Sequence, residues 1–289
     1  MTDVDSIKVH RSAEALRASL RADGYVGWDE RLALVPTMGF LHAGHAALIR
    51  HAASRKPRVV VSIFVNPLQF GPNEDLERYP RDLEHDLQVC AEAGATDVFY
   101  PEVADLTPSD IEIAVEPGRL ANRLCGLTRP GHFRGVCTIV NKLFNIVEPS
   151  LAVFGWKDAQ QQIILRKMVK DLNIPLTIEG VEIVREADGL ALSSRNTYLT
   201  AEQRAEAVNL SLGLNEAREL AVTEGESDAH QLCDVVCGMI EDNTSGVIDY
   251  VKCVRLDNLE ELDEVEPGNT MIAAAVRFGT TRLIDNVRF

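Results

Sequence analysis

Hydrophobic and polar positions along the chain fall into two alternating rhythms. The segment RVVVSIFV (58–65) is an unbroken β-branched and apolar run, the pattern of a strand buried on both faces. RLALV (31–35), TDVFYP (96–101, closed by Pro101), LAVFG (151–155) and LTIEGVEIV (176–184) also read as strands. Stretches of helical spacing lie between them: SAEALRASLRADG (12–24, stopping at Gly24), HAALIRHAASR (45–55) and RDLEHDLQVCAEAG (81–94, stopping at Gly94). GVCTIVNKLFNIV (135–147) and DAQQQIILRKMVKDLN (158–173) continue the series. Strand and helix in strict turn, with short joints, predict an α/β fold: a Rossmann-like parallel sheet over residues 1–184, covered on both faces. In such sheets ligands bind beyond the carboxyl ends of the strands.

From about residue 185 the rhythm changes. Two long helical stretches, 201–222 and 228–243, precede strands at 248–256, 269–278 and 280–289, which predicts a smaller α+β domain over 185–289. No internal repeat, heptad pattern or low-complexity segment interrupts either part. The 289 residues suffice for two domains with cores of their own.

Composition narrows the function. With 46% hydrophobic and 25% charged residues the chain reads as an ordinary soluble globular protein. Its 44 acidic and 29 basic side chains leave a net charge of −15, which repels a phosphate backbone and argues against nucleic acid as the main partner. An anionic substrate must therefore find a locally basic pocket. The opening MTDVDSIKVH has neither the basic nor the apolar region of a secretory signal. No run approaches the ~18 apolar residues of a membrane span, so no membrane partner is expected. The six cysteines are scattered without a CxxC pair, which predicts free thiols in a reducing cytoplasm.

The chemistry begins at VPTMGFLHAGH (35–45), directly behind the 31–35 strand. A helix starting near Gly44 aims free N–H groups and its positive dipole end at the strand exit, a ready anion site. Gly39 and Gly44 remove side chains where the backbone must turn or approach a ligand. His42 and His45 then add hydrogen-bond donors for phosphate oxygens, and imidazole changes protonation near neutrality. The bland alternative is a pair of histidines that cap the helix or face solvent. Metal binding by the pair lacks a third ligand at a suitable spacing.

The HxGH arrangement resembles the signature of the adenylyl-transferring nucleotidyltransferase superfamily. Five blocks in order extend the likeness: PTMGFLHAGH, SIFVNPLQFGPNEDLERYPR, RPGHFRGVCTIVNKLFNIVEP, FGWKDAQQ and DGLALSSRNTYL. Together they resemble the pantothenate synthetase (pantoate–β-alanine ligase) family from about residue 5 to the C-terminus. That resemblance implies ATP-dependent condensation of (R)-pantoate with β-alanine. A pantoyl adenylate forms with release of pyrophosphate, and the amine then displaces AMP. It also implies Mg²⁺, a cytoplasmic homodimer, and a C-terminal domain that closes over the nucleotide. The apolar strand VVVSIF and its surroundings are a candidate contributor to the dimer interface.

By the same resemblance Met38, Gly39, Phe40, Leu41, His42, Ala43, Gly44 and His45 wrap ATP, with both histidines on the phosphates and His45 as a proton donor. Gly155, Trp156, Lys157 and Asp158 contact the nucleotide, Lys157 at a phosphate and Gly155 and Asp158 at the ribose. Trp156 stands where the family usually has Glu. Val184 packs by the adenine. Leu192, Ser193, Ser194 and Arg195 resemble the superfamily's mobile phosphate loop, supplying two hydroxyls and one fixed cation. Gln69, Gln161 and Asn66 line the pantoate and β-alanine pocket, which Arg129 and Tyr79 close. An amide suits this pocket because it offers both donor and acceptor. Mg²⁺ is expected on phosphate oxygens and water; its protein ligands are unknown, with Asp82 and Asp86 as outer candidates. Two rivals remain: another adenylyltransferase of the superfamily, which would not need the NPLQF and RPGHFRG blocks, and a non-catalytic nucleotide-binding regulator, which should have lost a phosphate donor.

Overall fold

The computed structural model describes residues 7–72 and 74–289. Residues 1–6, read above for a signal segment, and Asn73 of the second family-like block lie outside the described residues. The chain divides into two compact units, one of Met1–Ala121, Gly126–Trp156 and Ile164–Glu182, the other of Asn122–Cys125, Lys157–Ile163 and Ile183–Phe289.

The first unit is built on strands β1 (Lys8–His10), β2 (Asp29–Thr37), β3 (Arg58–Ile63), β4 (Asp97–Phe99), β5 (Pro149–Gly155) and β6 (Thr177–Val181). They lie in the order β1-β4-β3-β2-β5-β6, every neighbouring pair parallel. Helices α1 (Ala13–Ala22), α2 (Ala43–Arg55) and α3 (Leu83–Ala93) make the first three crossovers. The single turns α4 (Val103–Leu106) and α5 (Cys125–Thr128) and the long α6 (His132–Val147) lead from β4 to β5, and α7 (Ala159–Asp171) leads from β5 to β6. From β2 the chain runs outward through β3 and β4, then returns to the other side of β2 to lay down β5 and β6. The direction therefore reverses between β2 and β5, and the crevice at their carboxyl ends is where such a sheet binds ligands. The two histidines follow β2 and the GWKD segment follows β5.

Strand β3 explains why its sequence is continuously apolar. It is paired on both edges, and Val59, Val60, Val61 and Ser62 are at most 1% exposed. The strand itself therefore presents no surface of its own, and only its surroundings stay a candidate contributor to a dimer interface. Pro36 sits inside β2 without cost to the β5 ladder, since that ladder ends at Leu34. Two further differences concern boundaries. The edge strand β1 carries no apolar run, since Lys8 and Val9 are exposed and the buried residue is His10, and the sequence pattern does not mark it. β6 ends at Val181 instead of 184, and the next residues turn into a hairpin described below.

In the second unit α8 (Ala201–Glu206), α9 (Val208–Glu219) and α10 (Ala229–Asn243) precede an antiparallel sheet of β7 (Val247–Arg255), β8 (Thr270–Phe278) and β9 (Thr281–Arg288), in that order across the sheet. Leu210, Leu214, Leu232, Val236 and Ile240 pack on Ile272, Ala274, Val276, Leu283 and Val287 to form its core. The α+β patterning of the sequence is the pattern observed. Among the described residues no helix is long and apolar enough to cross a membrane.

Candidate active site

The loop behind β2 is held from below by α3. Asp86, 1% exposed, accepts the Phe40 N–H on Oδ2 at 2.9 Å and the Leu41 N–H on Oδ1 at 2.6 Å. Its neighbour His85 bonds the Leu41 carbonyl through Nε2 at 2.9 Å. Burial pushes the Asp86 carboxyl above its ordinary value despite the pull of the two N–H donors. Gly39 is required here. Its φ is +85°, and a Cβ would lie 3.0 Å from both Asp86 Oδ2 and Ile63 Cγ2.

His42 and His45 form a reciprocal cap on α2. His42 Nδ1 accepts the Gly44 N–H at 3.1 Å, and His45 Nδ1 accepts the His42 N–H at 3.2 Å. The rings are stacked at a slant, centroids 4.1 Å apart. An Nδ1 that accepts a hydrogen bond carries no proton, so each neutral ring bears its proton on Nε2. The cap thus fixes the tautomer that presents an N–H donor, at the end of a helix already positive from its free N–H groups. The helix-capping reading of the motif is the arrangement observed.

The NPLQF segment forms a single 3-10 turn, Pro67–Gln69, capped by the buried Asn66. Asn66 Oδ1 accepts the Leu68 N–H, while Nδ2 donates to Gln69 Oε1 at 3.0 Å and to the Gly135 carbonyl at 3.1 Å. Gln69 Nε2 in turn donates to Met38 Sδ at 3.0 Å, joining this turn to the histidine loop. The turn lies directly on α6 because Gly135 has no side chain: a Cβ there would sit 2.1 Å from the Leu68 carbonyl oxygen. His132 Nδ1 bonds the Gln69 carbonyl at 2.8 Å, and Arg129 donates to the same oxygen at 3.3 Å. The Arg129 guanidinium is a two-point partner of Glu74, both contacts 2.6 Å. Burial alone would raise the Glu74 pKa, but the bonds and charge of Arg129 outweigh it and hold the carboxyl below its ordinary value. Tyr79 is 5% exposed and meets Phe70 edge-on, centroids 6.0 Å apart. Arg129 and Tyr79 therefore shape the loop around Gln69, the one by charge and the other by packing. The sequence reading missed Glu74, His132 and Gly135; the RPGHFRG block contains the last two, but only the fold gives them a partner.

Gly155 ends β5, and Trp156 stacks under the Arg166 guanidinium, which lies 5.2 Å from the ring centroid. In the second unit Lys157 is half-buried and Asp158 exposed at the entry to α7; Gln161 is half-buried in its first turn. The adjacent Gln160 is structural, accepting the Cys125 N–H and donating to the Arg123 carbonyl. Val184 starts a hairpin, its carbonyl accepting the Leu192 N–H at 3.0 Å, with Arg185 bridged to Ala191 and Gly189 at the turn. Ser193 caps the 3-10 segment Ser194–Tyr198 through the Arg195 N–H at 3.2 Å. Asn196 ties it back to the Ala191 carbonyl and to Glu186, each at 3.1 Å.

Among the described residues no group of three His, Cys, Asp or Glu side chains is arranged to hold a metal ion. The two acidic candidates are engaged otherwise: Asp86 with both oxygens on the loop, and Asp82 as the cap of α3 through the His85 N–H at 3.1 Å. None of the six cysteines is joined in a disulfide.

Residues 8–288 match the family model described as pantoate-beta-alanine ligase. A pantothenate synthetase of Acetivibrio thermocellus is 50% identical over 281 residues, covering 97% of this chain and 99% of that one. The crystal structure of pantothenate synthetase from Thermus thermophilus superposes with a TM-score of 0.91 at 41% identity, covering 98% and 99% of the two chains. That of pantoate-beta-alanine ligase from Francisella tularensis, complexed with beta-gamma ATP and beta-alanine, gives 0.78 at 31% identity, covering 98% and 97%.

Proposed function

Because the chain belongs to the pantoate-beta-alanine ligase family, we propose that it condenses (R)-pantoate with β-alanine at the expense of ATP, through a pantoyl adenylate. The obstacle to the first step is charge, since a carboxylate must approach a triphosphate. Fixed donors in a molecule of net charge −15 answer it. The observation that carries this reading is the reciprocal His42–His45 cap, which sets two Nε2–H groups at the N-terminus of α2.

In this reading the loop Met38–His45 holds the nucleotide, with His42 and His45 donating to phosphate oxygens. His45 acts as a neutral donor here, because a doubly protonated ring has no lone pair on Nδ1 for the His42 N–H. Gln69 and Asn66 orient pantoate next to the β-alanine position. Lys157, Ser193, Ser194 and Arg195 serve phosphates, Gly155, Trp156, Asp158, Val184 and Leu192 the nucleoside, and Gln161 pantoate; motif resemblance supports these roles. Mg²⁺ enters as part of the nucleotide substrate, on phosphate oxygens and water. A homodimer acting in the cytoplasm follows from the family resemblance.

A pyrophosphate-release assay tests the proposal. Pyrophosphate should appear with ATP and pantoate alone, and AMP with the amide product only once β-alanine is added. Release that ignores pantoate would overturn it in favour of another adenylyl transfer, and no release at all in favour of a nucleotide-binding regulator.

A further inference from the structure

Two adjacent residues near the C-terminus, Asp285 and Asn286 of β9, are polar yet only 3% and 4% exposed. Successive strand residues point to opposite faces. Asp285 lies on the face of Leu283 and Val287, which pack in the core of the unit. There it receives the Arg185 guanidinium at two points, Nη1 to Oδ2 at 2.6 Å and Nη2 to Oδ1 at 3.0 Å. Arg185 is the first bridged residue of the 184–192 hairpin, and its Nη1 also donates to the Gly189 carbonyl at 3.0 Å. Asp285 therefore holds the Arg185 side chain, which itself ties the base to the turn of the hairpin from which Ser193–Arg195 issue. On the opposite face Asn286 Nδ2 donates to the carbonyl of Lys157 at 3.3 Å.

We propose that Asp285 and Asn286 are positioning residues for adenylation, fixing Lys157 and the Ser193–Arg195 loop relative to one another from the two faces of one strand. The physical reason lies in the strand itself. Two phosphate-directed segments far apart in sequence can be set only as accurately as the element that both of them touch. β9 is hydrogen-bonded along its whole length to the buried β8, and it is the element that both segments touch. A buried carboxylate is costly unless its bonds are satisfied; Asp285 accepts from the Arg185 guanidinium and from the Asn286 N–H at 2.8 Å, and Asn286 Nδ2 donates to the Lys157 carbonyl. The inference rests on reading Lys157 and Ser193–Arg195 as phosphate-directed.

The test uses the full-length enzyme with Asn286→Asp, which keeps shape but loses the N–H donor, and Asp285→Asn, which loses the charge facing Arg185. Asn286→Gln keeps an amide donor and serves as the conservative variant. Misplacing a group by an ångström costs up to about 100-fold, so kcat/KM for ATP in pyrophosphate release should fall about 10- to 100-fold in the first two. KM for pantoate and the conversion of supplied pantoyl adenylate by β-alanine should stay within about twofold, since neither involves the β- and γ-phosphates. Asn286→Gln should recover part of the loss. Equal decline of both half-reactions, or unchanged ATP parameters in folded variants, would overturn the proposal. Should Asp285→Asn fail to fold, the Asn286→Asp and Asn286→Gln pair decides. Absence of pyrophosphate release in the wild-type enzyme would instead overturn the underlying functional reading.

Discussion

The backbone N–H of His42 points at Nδ1 of His45, 3.2 Å away, so the second histidine of the motif is bound to the backbone of the first. Position N3 of a helix ordinarily carries Glu or Gln for this purpose. Here an imidazole makes the same bond, and its second nitrogen carries the proton.

That substitution separates the cap from the chemistry. His45→Glu and His45→Gln should both keep the cap and melt close to the wild type. His45→Ala should lose about 1 kcal/mol with its cap. Only Gln also offers an N–H, so adenylation should survive partly in His45→Gln and fall about 10²- to 10³-fold in the Glu and Ala variants. Supplied pantoyl adenylate should still be converted by all three. Thermal melts and half-reaction assays check this, and equal activity of the Glu and Gln variants would contradict a donor role.

Asp86 is the residue on which the loop conformation depends. Asp86→Ala leaves the Phe40 and Leu41 N–H groups without their acceptor and should cost about 3 kcal/mol, the worth of a charge-assisted bond or two. Asp86→Asn keeps one acceptor and opposes a backbone N–H with an amide NH2, itself a donor, so it should fold yet release pyrophosphate about 10-fold more slowly through a displaced loop. Urea unfolding and the pyrophosphate assay read the two effects. An Asn variant that is destabilised but has normal kcat would make Asp86 structural only.

Gln69 and Gly135 should act on the same substrate by different routes. Gln69→Ala removes the amide and should raise KM for pantoate about 10-fold, one hydrogen bond to a charged group, with little change for ATP. Gly135→Ala touches no substrate, yet its methyl group would collide with the Leu68 carbonyl and displace the Pro67–Gln69 turn. It should combine a similar rise in pantoate KM with a stability loss of about 1–3 kcal/mol. Steady-state kinetics and melting curves separate them, and an ATP KM that rises as steeply would put Gln69 in the wrong pocket.

The residues the sequence disclosed and those it hid differ in what makes them necessary. His42, His45, Gly39 and Gln69 stand in short contiguous patterns whose local chemistry is self-evident: a strand end, a glycine, a donor. Asp86, Gly135, Glu74 and Asn286 matter because of a partner 45 to 129 residues away in the chain, and nothing in their own neighbourhoods marks them. In the sequence Asp86 is visible only as an acid near the site, which invites its reading as an outer metal ligand. Periodicity disclosed the sheet because buried strands such as β3 must be apolar throughout. It failed at β1, where Lys8 and Val9 are exposed and the buried residue is the polar His10, and past Val181, where the apolar 183–184 pair continues into a hairpin instead of the strand.

Strands β1, β3 and β4 supply a pH-dependent test. Asp97, fully buried, is bonded by His10 Nε2 at 2.8 Å, by Thr96 at 2.7 Å and by Arg58, which also pairs with Asp23 at 2.8 Å. Burial alone would raise the Asp97 pKa, but the bonds from His10, Thr96 and Arg58 outweigh it and hold the carboxyl below its ordinary value. A carboxyl with a lowered folded-state pKa stabilises the fold above its unfolded-state value and loses that contribution as pH falls through the folded-state value. Asp97→Asn strands Arg58 and His10 and should cost about 3 kcal/mol at pH 7, at the low end for a broken buried pair because Asp23 still holds Arg58. Urea unfolding of both proteins between pH 7 and pH 3 should show a constant gap down to about pH 5 and a shrinking one below about pH 4. A gap that persists undiminished at the acid end would mean that shape, not the charge of Asp97, is what the strand requires.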